Sequence, residues 1–161
     1  MEFTFEELIN RLPADLVQSL KDCMQDKTWH PEGSVYTHCE MVFDYALKHS
    51  PEDKEVILSA VFHDLGKPET TRKIVKDGRT KITHYGHEMA SLKYIDMYFD
   101  LYADISVNKE KVYEICKNHM KAHLFSSGKI TKRKKIEEFE SHKYFSAIMN
   151  FSICDEKGRG K

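Results

Sequence analysis

His63 and Asp64 stand side by side at the end of an apolar helical run, and this pair is where metal chemistry is most readily built. Adjacent helical residues point about 100° apart, so both reach one ion only if it sits beyond the helix end, and Gly66 breaks the helix there. A neutral imidazole offers one nitrogen and a carboxylate two oxygens, so Asp64 can ligate one metal or bridge two. His38 lies in the apolar stripe of the preceding helix, where an unpartnered ring costs about 1–3 kcal/mol. A single polar side chain in such a place is more often a hydrogen-bonded core residue than a ligand. Here that reading has to be repeated at His38, His63, His87, His119 and Asp155, each at a helix end or on an inward face, and the repetition favours a metal.

Composition sets the frame. The chain has 161 residues, nine of them histidine, and its four cysteines form no CxxC pair, which points to metal or acid–base chemistry rather than redox or zinc-finger chemistry. With 25 Lys+Arg against 26 Asp+Glu, the net charge of −1 gives no overall pull toward nucleic acid. Double-stranded DNA is therefore not expected, and an anionic partner must be held by a local site. No apolar run nears the ~18–20 residues of a spanning helix, and the opening MEFTFEELINR is acidic where a signal peptide is basic, so a cytoplasmic, membrane-free protein is expected.

The elements that must position these residues are mostly helical, because apolar residues recur at three- and four-residue spacing while Gly and Pro are sparse. Two short helices, carrying Leu8, Ile9 and Leu12, then Leu16, Leu20 and Met24, meet at Pro13. A third carries Val35, His38, Cys39, Val42, Tyr45 and Ala46 up to Ser50-Pro51, and a fourth runs from Pro51 to Asp64. Residues 72–76 and 79–83 flank Asp77-Gly78 and read as a small β-hairpin, too short and basic to be core and suited to a flap. Helices follow from His87 to about Tyr102 and from Lys109 to His123, the latter capped by Ser106 or Asn108. An exposed SSGKITKRKK connection precedes two last helices ending at Asp155. The expected architecture is an all-α bundle with a hairpin near residues 72–83. It forms one domain over 1–161, with N-terminal helices in 1–28 and a metal-site core in 30–160.

HPEGSVYTH at His30–His38, FHDLGKPETT at Phe62–Thr71, GHE at Gly86–Glu88, HMKAH at His119–His123 and CDEKGRG at Cys154–Gly160 resemble the HD-domain metal-dependent phosphohydrolases. The resemblance is nearest to the HD domain that follows the catalytic head of bacterial tRNA nucleotidyltransferases. Residues 1–29 leave no room for that head, so CCA addition is not carried over. The resemblance implies that His38, His63, Asp64 and Asp155 hold one divalent ion, and that His87 and His119 hold a second with Asp64 bridging. Mn, Fe, Co, Ni, Zn or Mg all suit mixed nitrogen and oxygen ligands. His123, one turn after His119, shares its face and can touch substrate or stand in as a ligand. His30 is read as supporting the ligands, His49 and His142 as exposed, and His84 is left open.

Such ions make a nucleophile from water at neutral pH and neutralise phosphoryl oxygens, so phosphoester hydrolysis is the expected reaction, with Asp64 or a nearby histidine orienting the attacking group. The resemblance gives Lys67 a phosphate-binding role in catalysis. Arg72, at the hairpin base, is the second cation assigned to the reaction and to substrate, and Arg159 the third for substrate. The run Lys129, Lys132, Arg133, Lys134, Lys135 reads mainly as a solvated helix start paired with the following glutamates. Trp29 is expected to plug the core rather than stack on a base. The tRNA-processing relatives suggest a nucleotide or RNA-end phosphoester, such as a 2′,3′-cyclic phosphate or a 2′-nucleotide. The alternatives are a mixed-valent diiron oxygenase on the same scaffold and a non-catalytic nucleotide-binding helical module.

Overall fold

The computed structural model describes residues 2–160. α1 (Phe5–Ile9) opens with a reciprocal cap: Thr4 Oγ1 accepts from the Glu7 N–H, and the Glu7 carboxylate accepts from the Thr4 N–H. α2 (Ala14–Asp22) starts behind Pro13, as the sequence predicts. α3 (Val35–His49), capped by Ser34, buries Val35, His38, Cys39, Val42, Phe43 and Ala46 on one face. α4 (Lys54–Phe62) is buried at every position from Val56 to Phe62, so it is the central helix, and His63 is its C-terminal cap residue. It begins three residues later than predicted, because residues 50–53 form a turn closed by the Asp53 N–H on the Ser50 carbonyl.

A short α5 (Lys67–Thr70) leads into β1 (Arg72–Lys76), which pairs antiparallel with β2 (Arg79–Thr83). Asp77 and Gly78 take φ of 55° and 74°, the left-handed pair a two-residue hairpin needs. The ribbon is anchored at its base, where the Ile82 N–H donates to Asp26 Oδ2 at 3.2 Å. α6 (His87–Tyr98) tightens into a 3-10 turn over Phe99–Ile105, in which the Tyr102 hydroxyl donates to the Leu8 carbonyl. α7 (Lys109–Ser126), capped by Asn108, α8 (Arg133–Glu140) and α9 (Phe145–Lys157) complete the chain.

α3, α7 and α9 surround α4, and α6 lies on α7. The expected helical bundle with its small hairpin is what forms. No helix among the described residues is long and apolar enough to cross a membrane.

Candidate metal centre

Four histidines reach one point from four elements, and in each the Nδ1 atom is already used. His63 Nδ1 donates to the Ala60 carbonyl (3.0 Å), His87 Nδ1 to the His84 carbonyl (2.9 Å) and His119 Nδ1 to the Cys116 carbonyl (2.6 Å). All three partners lie three residues earlier, where a helix or turn presents a carbonyl to its own side chain. His38 Nδ1 bonds Glu32 Oε2 (2.9 Å) and the Gly158 carbonyl (3.1 Å). These partners assign the proton to Nδ1 and leave each Nε2 lone pair aimed inward.

Asp64 lies between them. Its Oδ2 faces His63 Nε2 (3.2 Å) and His38 Nε2 (3.6 Å), while Oδ1 faces His87 Nε2 (3.2 Å) and His119 Nε2 (3.7 Å). Asp155 closes the first side, with Oδ1 at 2.7 Å from His38 Nε2 and 3.5 Å from His63 Nε2. Two donor groups result, His38–His63–Asp155 and Asp64–His87–His119, each compact enough to hold a metal ion. Cys39 also lies near His63 and Asp64, and burial lifts its pKa well above the ordinary thiol value.

These residues fit a cation. His63 Nε2 and both Asp64 oxygens are buried without a hydrogen-bond partner, at a cost of about 1–3 kcal/mol per unmet group. His87 Nε2 and His119 Nε2 meet at 3.1 Å with both lone pairs turned toward each other, a contact that a positive charge between them relieves. Burial acts to raise the pKa of Asp64, but His63 and Lys67 hold it well below the usual carboxylate range. Burial likewise opposes ionisation of Asp155, yet the adjoining imidazoles of His123, His38 and His63 bring it well down. Burial would lower the His38 and His63 pKa values, but the neighbouring carboxylates raise both.

The surrounding residues fix the donors. Glu32, in HPEG, takes hydrogen bonds on Oε2 from both His30 and His38 and on Oε1 from the Gly160 N–H. Burial works against its charge, but those bonds bring its pKa down to about 2. Ser91, buried on α6, accepts from the Gly66 N–H and lies within hydrogen-bond reach of the His63 and His87 carbonyls, tying α4's end to α6. A Cβ at Gly66 would meet the His87 carbonyl oxygen and the Ser91 nitrogen at 2.6 Å, so only glycine permits this approach. Gly158 sits as tightly on Val42, which lets the chain end cover α3.

Above the donors opens a cavity of about 530 Å³. Asp64, Lys67, His87, His119 and Asp155 form its floor, while Trp29, Lys81, Tyr85, Met120, Lys129 and Arg159 belong to its walls and mouth. Lys67 is 5 % exposed; its Nζ donates to Gln25 Oε1 at 2.6 Å and lies 3.1 Å from Asp64 Oδ2. The last contact is an ion pair without hydrogen-bond alignment, which is why Asp64 Oδ2 still has no hydrogen-bond partner. Arg159 also reaches the cavity, with Nε buried and unpartnered.

Three expectations need correction. Arg72 is not brought to the cavity: β1 is exposed throughout, and the guanidinium donates to the adjacent Thr71 carbonyl. Lys81, on the opposite strand, lines the cavity instead. His123 lies behind Asp155, its Nε2 donating to Oδ2 at 2.7 Å and its Nδ1 facing Ser152, so it orients the carboxylate rather than facing substrate. Trp29 is 59 % exposed at the cavity mouth and is not a core plug.

The remaining histidines sort clearly. His30 lines the cavity beside Glu32; burial, Lys67 and His38 push its pKa to about 4. His84, left open by the sequence, also lines it, with Nδ1 on Thr71 Oγ1 and Nε2 buried without a partner. His49 is exposed, stacked on Tyr45, whereas His142 is half-buried beside Glu114. In the basic run, Arg133 pairs with Glu137 as expected, and only Lys129 turns to the cavity. Sequence reasoning missed Glu32, Gln25 and Ser91. Glu32 alone carried a signal, its place in HPEG two residues after His30.

The comparison with family models agrees with this geometry. The HD domain model matches residues 35–137, more than half of the chain, a span that contains His38, His63, Asp64, His87 and His119. Two buried His/Asp donor groups and this match together identify the chain as a member of the HD domain family, a superfamily of metal-dependent phosphohydrolases.

Proposed function

We propose that the protein is a metal-dependent phosphohydrolase or phosphodiesterase acting on a nucleotide or RNA-end phosphoester, with 2′,3′-cyclic phosphates and 2′-nucleotides as the leading substrates. One observation carries this reading. Asp64 presents one unpartnered oxygen to each of two histidine pairs, directly under a cavity that also receives Lys67 and Arg159.

In this reading His38, His63, Asp64 and Asp155 hold one divalent ion, and Asp64, His87 and His119 the other. Bound divalent ions (Mn, Fe, Co, Ni, Zn or Mg) lower the pKa of water and offset charge on phosphoryl oxygens. The chain's own groups do the rest. Lys67, fixed by Gln25, and Arg159 bind phosphoryl oxygens, Lys67 as a point charge and Arg159 through paired N–H donors. Glu32 and His123 keep His38 and Asp155 in place, as outer partners do around metal donors.

The test is a metal-supplemented screen of nucleoside monophosphates, cyclic nucleotides and RNA with cyclic-phosphate ends, read as phosphate release and product identity. Metal-dependent hydrolysis of one of these is expected. Oxygen consumption after aerobic iron loading, with no phosphoester cleaved, overturns the reading in favour of a diiron oxygenase. Bound metal without turnover of any kind overturns it in favour of a binding module.

A further inference from the structure

The hairpin concentrates charge that the rest of the chain does not. Five of its ten strand residues are Lys or Arg, against a net charge of −1 for the whole protein. The strand register sorts them. Arg72, Ile74 and Lys76 lie opposite Thr83, Lys81 and Arg79, so four of the five cations share one face, and Lys73 alone lies on the other with Val75, Thr80 and Ile82. Every Lys or Arg ion pair among the described residues is made elsewhere.

That cationic face is connected to the cavity. Lys76, Asp77, Arg79 and Lys81 enclose a shallow hollow near the turn, and Lys81 also lines the main cavity. Through Lys81 the line of cations at the hairpin tip thus meets the cavity, which Lys129 and Arg159 also line. Arg79 and Lys81, two residues apart on one strand, are on the order of 7 Å apart along it, close to the step between phosphates of an extended single strand. Trp29 and Tyr85, 59 % and 80 % exposed, stand at the cavity mouth where this line enters. Exposed aromatics beside a cationic groove are the components of a single-strand binding surface, the rings accepting bases and the cations the backbone.

We infer that the Lys76–Arg79–Lys81 face of the hairpin binds the phosphate backbone of a single-stranded oligonucleotide whose terminal phosphoester lies in the cavity. The inference rests on the phosphohydrolase reading and narrows it from nucleotides in general to the end of a strand. Lysines that merely keep an edge strand soluble need no shared face and no continuity with the cavity.

The test compares wild type with Lys76→Ala/Arg79→Ala, two exposed residues outside the cavity, and with Lys73→Ala on the opposite face. The probe is a labelled oligouridylate of about eight nucleotides with a 3′-phosphate, run beside its deoxy counterpart, with binding read by fluorescence anisotropy over a salt series. The tighter of the two probes identifies the sugar. The double variant is expected to bind about tenfold more weakly at low salt, with a log K against log salt slope shallower by about 1.4, the loss of two phosphate contacts. Lys73→Ala should change neither, and turnover of a mononucleotide should be the same in all three proteins. Unchanged oligonucleotide binding in the double variant, or an equal loss in Lys73→Ala, overturns the inference. Failure of every phosphoester to react removes the parent reading, while the anisotropy result separately decides whether a strand binds the ribbon.

Discussion

The floor of the cavity and its mouth are built by opposite means. At the floor, α3, α6, α7 and the end of α4 each contribute a histidine whose Nδ1 is held, and Asp64 and Asp155 are almost fully buried among them. At the mouth, the side chains come from a ribbon and connecting segments: Trp29, Tyr85 and Lys129, exposed to water, and the half-buried Lys81. The difference has a physical basis. Donor atoms must be fixed within tenths of an ångström to share an ion, and packed helices do that. Groups that receive a long flexible anion gain from reach and charge, and exposed segments supply both. In the proposed reading the floor therefore sets the class of reaction, and the mouth selects what is brought to it.

This contrast can be broken first at Asp64, where the largest effect is expected. Asp64→Ala removes the group that the proposed reading shares between both metal sites, so elemental analysis should find metal lost from both, and activity should fall at least about 10³-fold. A variant that retains full activity would dissolve the distinction between floor and mouth. Next is Lys67, at the floor but not a metal donor. Lys67→Ala should keep its metal while kcat falls about 10²-fold, the size of one lost electrostatic contact to the reacting group.

The link that holds the floor together is tested by Gly66→Ala. Its Cβ would collide with α6 backbone, so denaturant unfolding should show a loss of about 1–3 kcal/mol. A smaller effect belongs to the mouth. Trp29→Ala should leave kcat and metal content unchanged and raise KM for an oligonucleotide about tenfold, the worth of one stacked base. A fall in kcat instead would place Trp29 with the floor.

Legibility in the sequence follows the same division. The floor was readable because helix periodicity puts His38 on an apolar stripe and His63-Asp64 at a helix end, where a polar group needs a reason to be buried. The hairpin was readable from Asp77-Gly78 and its change of period, and the bundle from its spacing. What could not be read is what depends on contacts between distant segments. That Glu32 serves His38, that Gln25 holds Lys67, and that Ser91 bridges α4 and α6 all arise from packing across many residues. Arg72 shows the limit most plainly. Its position at the hairpin base suggested the cavity, but Lys81, not Arg72, lines it, on the strand that Asp26 holds through the Ile82 N–H. Trp29 followed the general tendency of tryptophan to be buried, and the open cavity beside it is not encoded in any local pattern.

The central claim is that Asp64 is shared by two metal subsites, one of which depends on His87 and His119. It is tested most directly by counting metal in reconstituted wild type and in His87→Ala by elemental analysis. Two equivalents per chain in the wild type, falling to one in the variant with the fold intact, is the predicted result. An unchanged metal content in His87→Ala would contradict it.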